Sequence, residues 1–223
     1  MNLRQLKLKL FSTIAAFSIR NFEEIGLGLK FLNNLDNLEL LFFGKFIFNT
    51  ESFYKLFADF PKSINSLSIQ FLTKNQVSYN SLSALCQIIN NTNLKSIELY
   101  VEKGLIQIYR AFGSHYKKGS LKSFQASSSY YYEEICLSEE KLDDFETFFN
   151  KFQELEKFHF SYRFPFPSQL GEIMLHAELK NRLTLLRNLK ILRLEVTRNF
   201  IFVVLEEINN KKMFQKSFEF GIN

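Results

Sequence analysis

A short apolar pattern recurs along the chain at intervals of about 30 residues. Each copy has an apolar residue, two spacers, a second apolar residue, one spacer and a third apolar residue, as in Leu35, Leu38 and Leu40. Seven copies are clear and an eighth is weaker, and they start near residues 3, 35, 64, 94, 121, 155, 189 and 215. Self-similarity at a fixed period indicates a repeat architecture, in which each unit stacks on its neighbours.

Each copy of the pattern predicts a short strand, and the segment that follows it predicts a helix. Apolar residues at every second position are typical of a strand with one buried face. Between the copies, apolar residues recur at three- and four-residue steps, as on the buried stripe of a helix. The clearest stripes are Phe53, Leu56, Phe57 and Phe60; Leu82, Leu85, Cys86 and Ile89; and Leu142, Phe145, Phe148, Phe149 and Phe152. Weaker helices are predicted near 12–32, 103–117, 168–187 and 198–212.

The composition agrees with a packed solenoid. Hydrophobic residues make up 46% of the 223 residues, with 27 Phe but only 8 Gly and 3 Pro, which excludes disordered and collagen-like chains. Cys86 and Cys136 are too few for a disulfide scaffold. A lone repeat buries too little apolar surface to offset the entropy lost when its backbone is ordered, so stacking is required. We therefore expect a single solenoid over residues 1–223. Neither end has an evident polar cap, so the ends either dock onto something or belong to a longer protein.

Strand and helix in strict alternation resemble the leucine-rich repeat family, whose signature is Leu-x-x-Leu-x-Leu. Leu189, Leu192 and Leu194 carry that signature, and the long units look most like the ribonuclease-inhibitor-like subclass. One departure is clear. The family has Asn or Cys three residues after the last Leu, where this chain has Phe11, Phe43, Leu72, Glu102, Ser129, Arg163 and Thr197. The resemblance implies a right-handed α/β solenoid with a parallel concave sheet, outer helices and a protein partner.

Residues between the buried strand positions should line the concave face. This face is polar, mixed in charge and rich in small hydroxyl side chains, and Tyr100 is its main aromatic residue. It is either a solvated surface or a binding face, because exposed aromatic anchors, which usually dominate binding, are scarce there. The candidate partner-binding residues on it are Lys7, Lys9, Glu39, Gln70, Glu98, Tyr100, Gln125, His159, Arg193 and Glu195.

Three consecutive tyrosines, Tyr130, Tyr131 and Tyr132, form a second candidate binding site in the loop after the fifth strand. They cannot all point inward, so at least one should lie on the surface, where an aromatic ring favours an interface. The alternative is that Tyr130 and Tyr132 pack against neighbouring loops. The segment 164–167, Phe-Pro-Phe-Pro, is either a rigid turn or a short docking element.

Catalytic patterns are missing from the sequence. His115, His159 and His176 have no metal-ligand spacing, and the glycines form no phosphate-binding loop. Cys86 lies on an apolar helical stripe, which predicts a core thiol. We therefore expect a non-enzymatic protein, with no cofactor, metal or small-molecule substrate.

Charge and the N-terminal segment bear on partners and compartment. The net charge of +5 is modest, and nucleic-acid binding would need Lys180, Arg182 and Arg187 to align with other basic residues on one surface. Residues 1–22 carry four basic residues and no acid, which suits a mitochondrial transit peptide, although the same stretch also fits the first repeat. No stretch is long and apolar enough to predict a membrane span. We expect an intracellular protein, cytoplasmic first and mitochondrial as the alternative.

The pattern as a whole favours a protein-interaction scaffold or adaptor that uses the curved repeat surface and the uncapped ends. A structural subunit of a large complex is the alternative. A nucleic-acid-associated subunit is the second alternative.

Overall fold

The structure, a computed structural model, describes residues 3–12, 18–44, 46, 48–72, 77–102, 104–117, 120–128, 139–163, 183, 185–197 and 201–206. For 139–142, 161–163, 193–197 and 201–206 it describes the backbone alone. Strands and helices alternate through most of these residues. In chain order they are β1 (Gln5–Ser12), α1 (Ile19–Lys30), β2 (Asn37–Gly44), α2 (Thr50–Phe57), β3 (Ser66–Phe71), α3 (Tyr79–Ile89), β4 (Ser96–Val101), α4 (Leu105–His115), β5 (Ser123–Ser128), α5 (Glu139–Lys151), β6 (Lys157–Arg163), β7 (Ile191–Thr197) and β8 (Ile201–Glu206).

One sheet joins all eight strands in chain order, and β1 to β7 are parallel. Each of these seven strands begins two residues after the start of its sequence pattern, as Gln5 follows Leu3 and Ile191 follows Leu189. The predicted fold class is therefore confirmed: the chain forms an α/β solenoid with a parallel sheet and helices packed on one side of it.

The last described strand departs from the expected repeat. A helix was predicted near 198–212, but Ile201–Glu206 forms β8, which pairs antiparallel with β7. The prediction is wrong because a continuous apolar run fits a strand as well as a helix, and the free edge of β7 offers hydrogen bonds to a strand. The weak repeat predicted near 215 and most of the helix predicted near 168–187 lie outside the described residues.

The core lies between the sheet and the helices. Strand residues at alternate positions are buried, such as Leu67 and Ile69 in β3. The predicted helix stripes are confirmed wherever side chains are described, because Phe53, Leu85 and Phe148 and the other described members of their stripes are all buried. Leu142 lies in the first four residues of α5, for which the structure describes the backbone alone. Aromatic rings fill much of this core, and neighbouring rings lie within the 4.5–7 Å range of favourable aromatic pairs.

Asn49 caps the second helix. The side chain of Asn49 accepts a hydrogen bond of 2.8 Å from the backbone N–H of Ser52, at the start of α2. Such a cap satisfies one of the backbone donors that the first turn leaves unpaired.

A backbone ladder links the repeats just before each strand. The carbonyl oxygen of Arg4 accepts from the N–H groups of both Asp36 and Asn37, at 2.8 and 2.9 Å. At each following junction, one carbonyl oxygen again accepts hydrogen bonds from two consecutive N–H groups, over 2.7 to 3.0 Å. The residues that supply these carbonyl oxygens are Asp36, Asn65, Lys95, Lys122 and Glu156. The chain therefore joins its repeats through main-chain groups, on the opposite end of the strands from the positions where the family carries its Asn or Cys.

No helix among the described residues is long and apolar enough to cross a membrane.

Candidate interaction surface

The sheet has a second face that the described helices do not cover, and we call it the open face. Strand residues alternate between buried and half-exposed along β3 and β4, so every second side chain points to the open face. The candidate strand residues with described side chains all belong to this alternate set. The open face is the surface predicted as concave.

Parallel pairing aligns these side chains into columns that cross the sheet. The middle column runs through seven strands as Lys7, Glu39, Ser68, Glu98, Gln125, His159 and Arg193. The next column runs as Lys9, Leu41, Gln70, Tyr100, Ser127, Ser161 and Glu195. Arg193 and Glu195 are placed by backbone register alone. All ten candidate strand residues therefore lie in two adjacent columns, whereas their role in binding a partner stays a prediction.

Two pairs link neighbouring side chains in the middle column. The ammonium of Lys7 lies 2.7 Å from Oε1 of Glu39, and Nε2 of Gln125 donates to Oε1 of Glu98 over 2.9 Å. Such pairs between partly exposed groups contribute little to stability, so they can be exchanged for contacts with a partner at small cost.

Ser68 lies between these two pairs in the same column. Its hydroxyl is covered, and it has no hydrogen-bond partner among the described residues. A covered hydroxyl without a partner costs free energy. The centre of the column therefore holds a polar group whose bonding capacity the described chain leaves unused.

Aromatic residues on the open face are more prominent than the sequence suggested. Phe11 is 66% exposed, and its ring stacks on Phe43 with centroids 4.8 Å apart and planes at 12°. Tyr100 is only half-exposed, so Phe11 and not Tyr100 is the main aromatic residue of this face. Both Phe residues occupy positions where leucine-rich repeats have Asn or Cys, and neither is among the candidate binding residues. The strand alternation from Gln5 to Phe11 was the signal that could have found them.

Several candidates lie outside the described residues. They are Tyr130, Tyr131 and Tyr132, the segment 164–167, Cys136, His176, Lys180 and Arg182.

Two titratable side chains that the sequence singled out, Cys86 and His115, are engaged in packing. Cys86 is a fully buried free thiol, which confirms the predicted core position, and burial raises the pKa of this thiol well above its ordinary value. His115 shares a hydrogen bond of 2.9 Å with the hydroxyl of Tyr79, which fixes it between α3 and α4. No group of three or more His, Cys, Asp or Glu side chains in the described ranges could hold a metal ion.

Comparison with solved structures gives matches of similar form. One of them, the C-terminal domain of tropomodulin from Caenorhabditis elegans, is 13% identical, with a TM-score of 0.41, and the match covers 76% of this chain and 96% of that domain. No protein-family model matches the chain. No curated protein matches it either.

Basic side chains on the rim before the strands are partly neutralised by acids. The ammonium of Lys190 lies 2.8 Å from Oε2 of Glu156, and this bond lowers the pKa of the Glu156 carboxyl. Lys122 lies 3.7 Å from the same carboxylate and 3.8 Å from that of Glu154. A nucleic-acid surface needs basic charge free to meet phosphates, and this part of the rim offers little of it.

Proposed function

We propose that this chain is a non-enzymatic protein-interaction scaffold or adaptor, and that its partner docks on the open face of the sheet. The observation that carries the proposal is the pair of largely polar columns that cross seven strands in register. A rigid sheet holds these side chains at fixed spacing, which lowers the entropy lost when a partner binds. The exchangeable pairs Lys7–Glu39 and Glu98–Gln125 supply polar contacts.

A structural subunit of a larger complex is the alternative, and the first repeat favours it. Leu6, Leu8 and Leu10 stay half-buried, although the residues beside them in β2 are fully buried. A neighbouring subunit that covered these leucines would gain hydrophobic stabilisation.

Two finer assignments go with the proposal. The helices α1 to α5 have 8 to 13 residues each, which supports the ribonuclease-inhibitor-like subclass suggested by the sequence. The cytoplasm is the compartment that we propose, because Cys86 is a free thiol, and the mitochondrion is the alternative.

Site-specific photocrosslinking in cells tests the proposal. A photoreactive amino acid replaces Gln125 or Gln70 on the open face and, as matched controls, the exposed Gln107 in α4 or Glu146 in α5. We expect one protein to be captured from the open-face positions and not from the helix positions. That protein is then purified and its Kd is measured for the unmodified chain, for Glu98→Lys and for the control Gln107→Lys.

The Glu98→Lys variant should weaken binding about tenfold or more, because it reverses a charge in the middle of the contact, and Gln107→Lys should not. Capture from the helix positions alone, or equal affinity of both variants, would contradict docking on the open face.

A further inference from the structure

β1 forms one edge of the described sheet. It pairs with β2 over all eight of its residues, and no described strand pairs with its other side. Every second residue of an edge strand points its backbone N–H and C=O groups away from the sheet, and these groups can pair with another extended chain. At the opposite edge, the chain itself adds β8 to β7.

The leucines of β1 are less covered than their neighbours. Leu6, Leu8 and Leu10 are half-buried, while the residues paired with them in β2 are almost fully buried. Those paired residues are Leu38, Leu40 and Phe42, with exposures of 2%, 0% and 1%. A strand added beyond β1 would cover these leucines with its own apolar side chains at alternate positions.

The basic side chains of β1 indicate which residues such an added strand should carry. Lys7 and Lys9 point to the open face of β1, Arg4 precedes them, and residues 3–12 contain no acid. Lys9 is exposed and makes no ion pair with the described residues, while Lys7 keeps a half-exposed ammonium beside Glu39. A neighbouring strand with acidic residues at these positions would be attracted across the sheet.

The same charge disfavours a second copy of the chain. A symmetric antiparallel pairing of two β1 strands that sets Gln5 opposite Phe11 also sets Lys7 opposite Lys9 of the other copy. Like charges directly opposite each other on a sheet are destabilising. Beyond Lys9, the exposed ring of Phe11 gives the same edge an aromatic anchor.

We propose that the free edge of β1 binds an extended acidic segment of a partner protein as an added strand. The segment alternates acidic residues, which face Lys7 and Lys9, with apolar residues, which cover Leu6, Leu8 and Leu10. This edge is a different surface from the centre of the open face, so each proposal can fail alone.

Binding of blocked fluorescent peptides to the full chain tests the proposal, with anisotropy as the measurement. The probe is an eight-residue peptide of alternating glutamate and valine. The controls are its lysine–valine counterpart and two glutamate peptides N-methylated at every second residue, one in each phase. The glutamate peptide should bind, and added salt should weaken the binding. The lysine peptide should bind more weakly, and at least one N-methylated peptide should not bind, because N-methylation removes the donors that pair with β1.

Two variants locate the peptide on the chain. Lys9→Glu should weaken binding of the glutamate peptide by roughly fivefold or more, since it replaces an attractive cross-strand pair with a repulsive one. Lys157→Glu makes the same charge change at the start of β6 and should leave the affinity unchanged, as should Glu98→Lys. Phe11→Ala should also weaken binding, and circular dichroism checks that each variant is folded.

Several results would overturn the proposal. They are no binding of the glutamate peptide, equal affinity for the glutamate and lysine peptides, binding of both N-methylated peptides, or an unchanged affinity in Lys9→Glu. A dimer of the free chain that the peptide dissociates would also overturn it, since a second copy would then occupy the edge. If one of these results is found while Glu98→Lys still loses binding to the protein partner, the edge proposal fails and the proposed function stands.

Discussion

The α-carbon of Gly26 in α1 lies against the backbone of Lys55 in α2. A β-carbon on Gly26 would collide with the carbonyl oxygen of Lys55 and would stand 2.9 Å from that of Leu56. On the exposed side of this contact, an ion pair of 2.9 Å between Glu23 and Lys55 also links the two helices. The first two helices therefore pack at a distance that only glycine allows.

Replacing Gly26 by alanine should destabilise the fold. The added methyl group meets main-chain atoms that cannot rotate away, so α1 has to shift from α2, at a cost of about 1–3 kcal/mol. Gly28→Ala is the matched control, because a β-carbon there meets nothing within 4 Å and alanine favours the helix by up to about 1 kcal/mol. Urea unfolding should show opposite signs for the two variants, and two changes of the same sign would contradict the close contact.

Replacing Tyr109 by phenylalanine should stabilise the fold. Tyr109 is completely buried among Phe124, Phe145 and Phe148, and its hydroxyl has no hydrogen-bond partner among the described residues. Removing an unsatisfied buried hydroxyl recovers about 1–3 kcal/mol. Tyr79→Phe is the control and should destabilise by about 1 kcal/mol, because the Tyr79 hydroxyl is bonded to His115. Thermal unfolding measures both, and a loss of stability in Tyr109→Phe would contradict the prediction.

Stability should fall at alkaline pH. Burial raises the pKa of both Cys86 and Tyr109, so both groups stay protonated in the folded chain. In the unfolded chain a thiol ionises near about pH 8.5 and a phenol near about pH 10. Above these values the unfolded chain binds fewer protons than the folded one, so the free energy of unfolding decreases as the pH rises.

Urea unfolding between about pH 7 and pH 10.5 measures this decrease. In Cys86→Ala the decrease should begin closer to the phenol pKa, even though the cavity lowers stability at every pH. An unchanged onset in that variant would show that the buried thiol does not carry the effect.

Ile97→Asp should unfold the fourth repeat. Ile97 has no exposed area, so an aspartate there is a buried charge without a partner and should cost at least about 3 kcal/mol. Ser96→Asp places the same charge one residue earlier, on the open face, and should cost far less. Soluble expression and circular dichroism separate the two, and an unchanged melting curve for Ile97→Asp would disprove the register of β4.

Local pattern alone was sufficient to place the parallel strands. All seven start at the same position in the apolar pattern, because a strand buried on one face needs apolar residues at alternate positions, whatever its neighbours are. The columns followed from this, since equal repeats pair at equal positions. Two adjacent candidates, Glu98 and Gln125, proved to be hydrogen-bonded to each other.

The sequence was misleading for residues whose environment is set by contacts with distant parts of the chain. The apolar run from Ile201 to Leu205 suits either element, and pairing with β7 made it a strand. Phe11 was noted only as the residue at a position where leucine-rich repeats have Asn or Cys, yet it lies exposed on Phe43 at the edge of the sheet. In both cases the local sequence is compatible with two environments, and contacts with residues far along the chain select one.

The sequence by itself determined the repeat length, the side of each strand that is buried and the helix stripes that cover it, because these depend on spacing between residues close in the chain. Only the tertiary structure decided which backbone groups join the repeats and how closely α1 approaches α2 at Gly26. It also decided which polar groups, such as the hydroxyls of Ser68 and Tyr109, are left without a hydrogen bond to any described residue. These outcomes depend on the distances between stacked repeats. Those distances are set when units of about 30 residues pack together, so the sequence of a single repeat does not determine them.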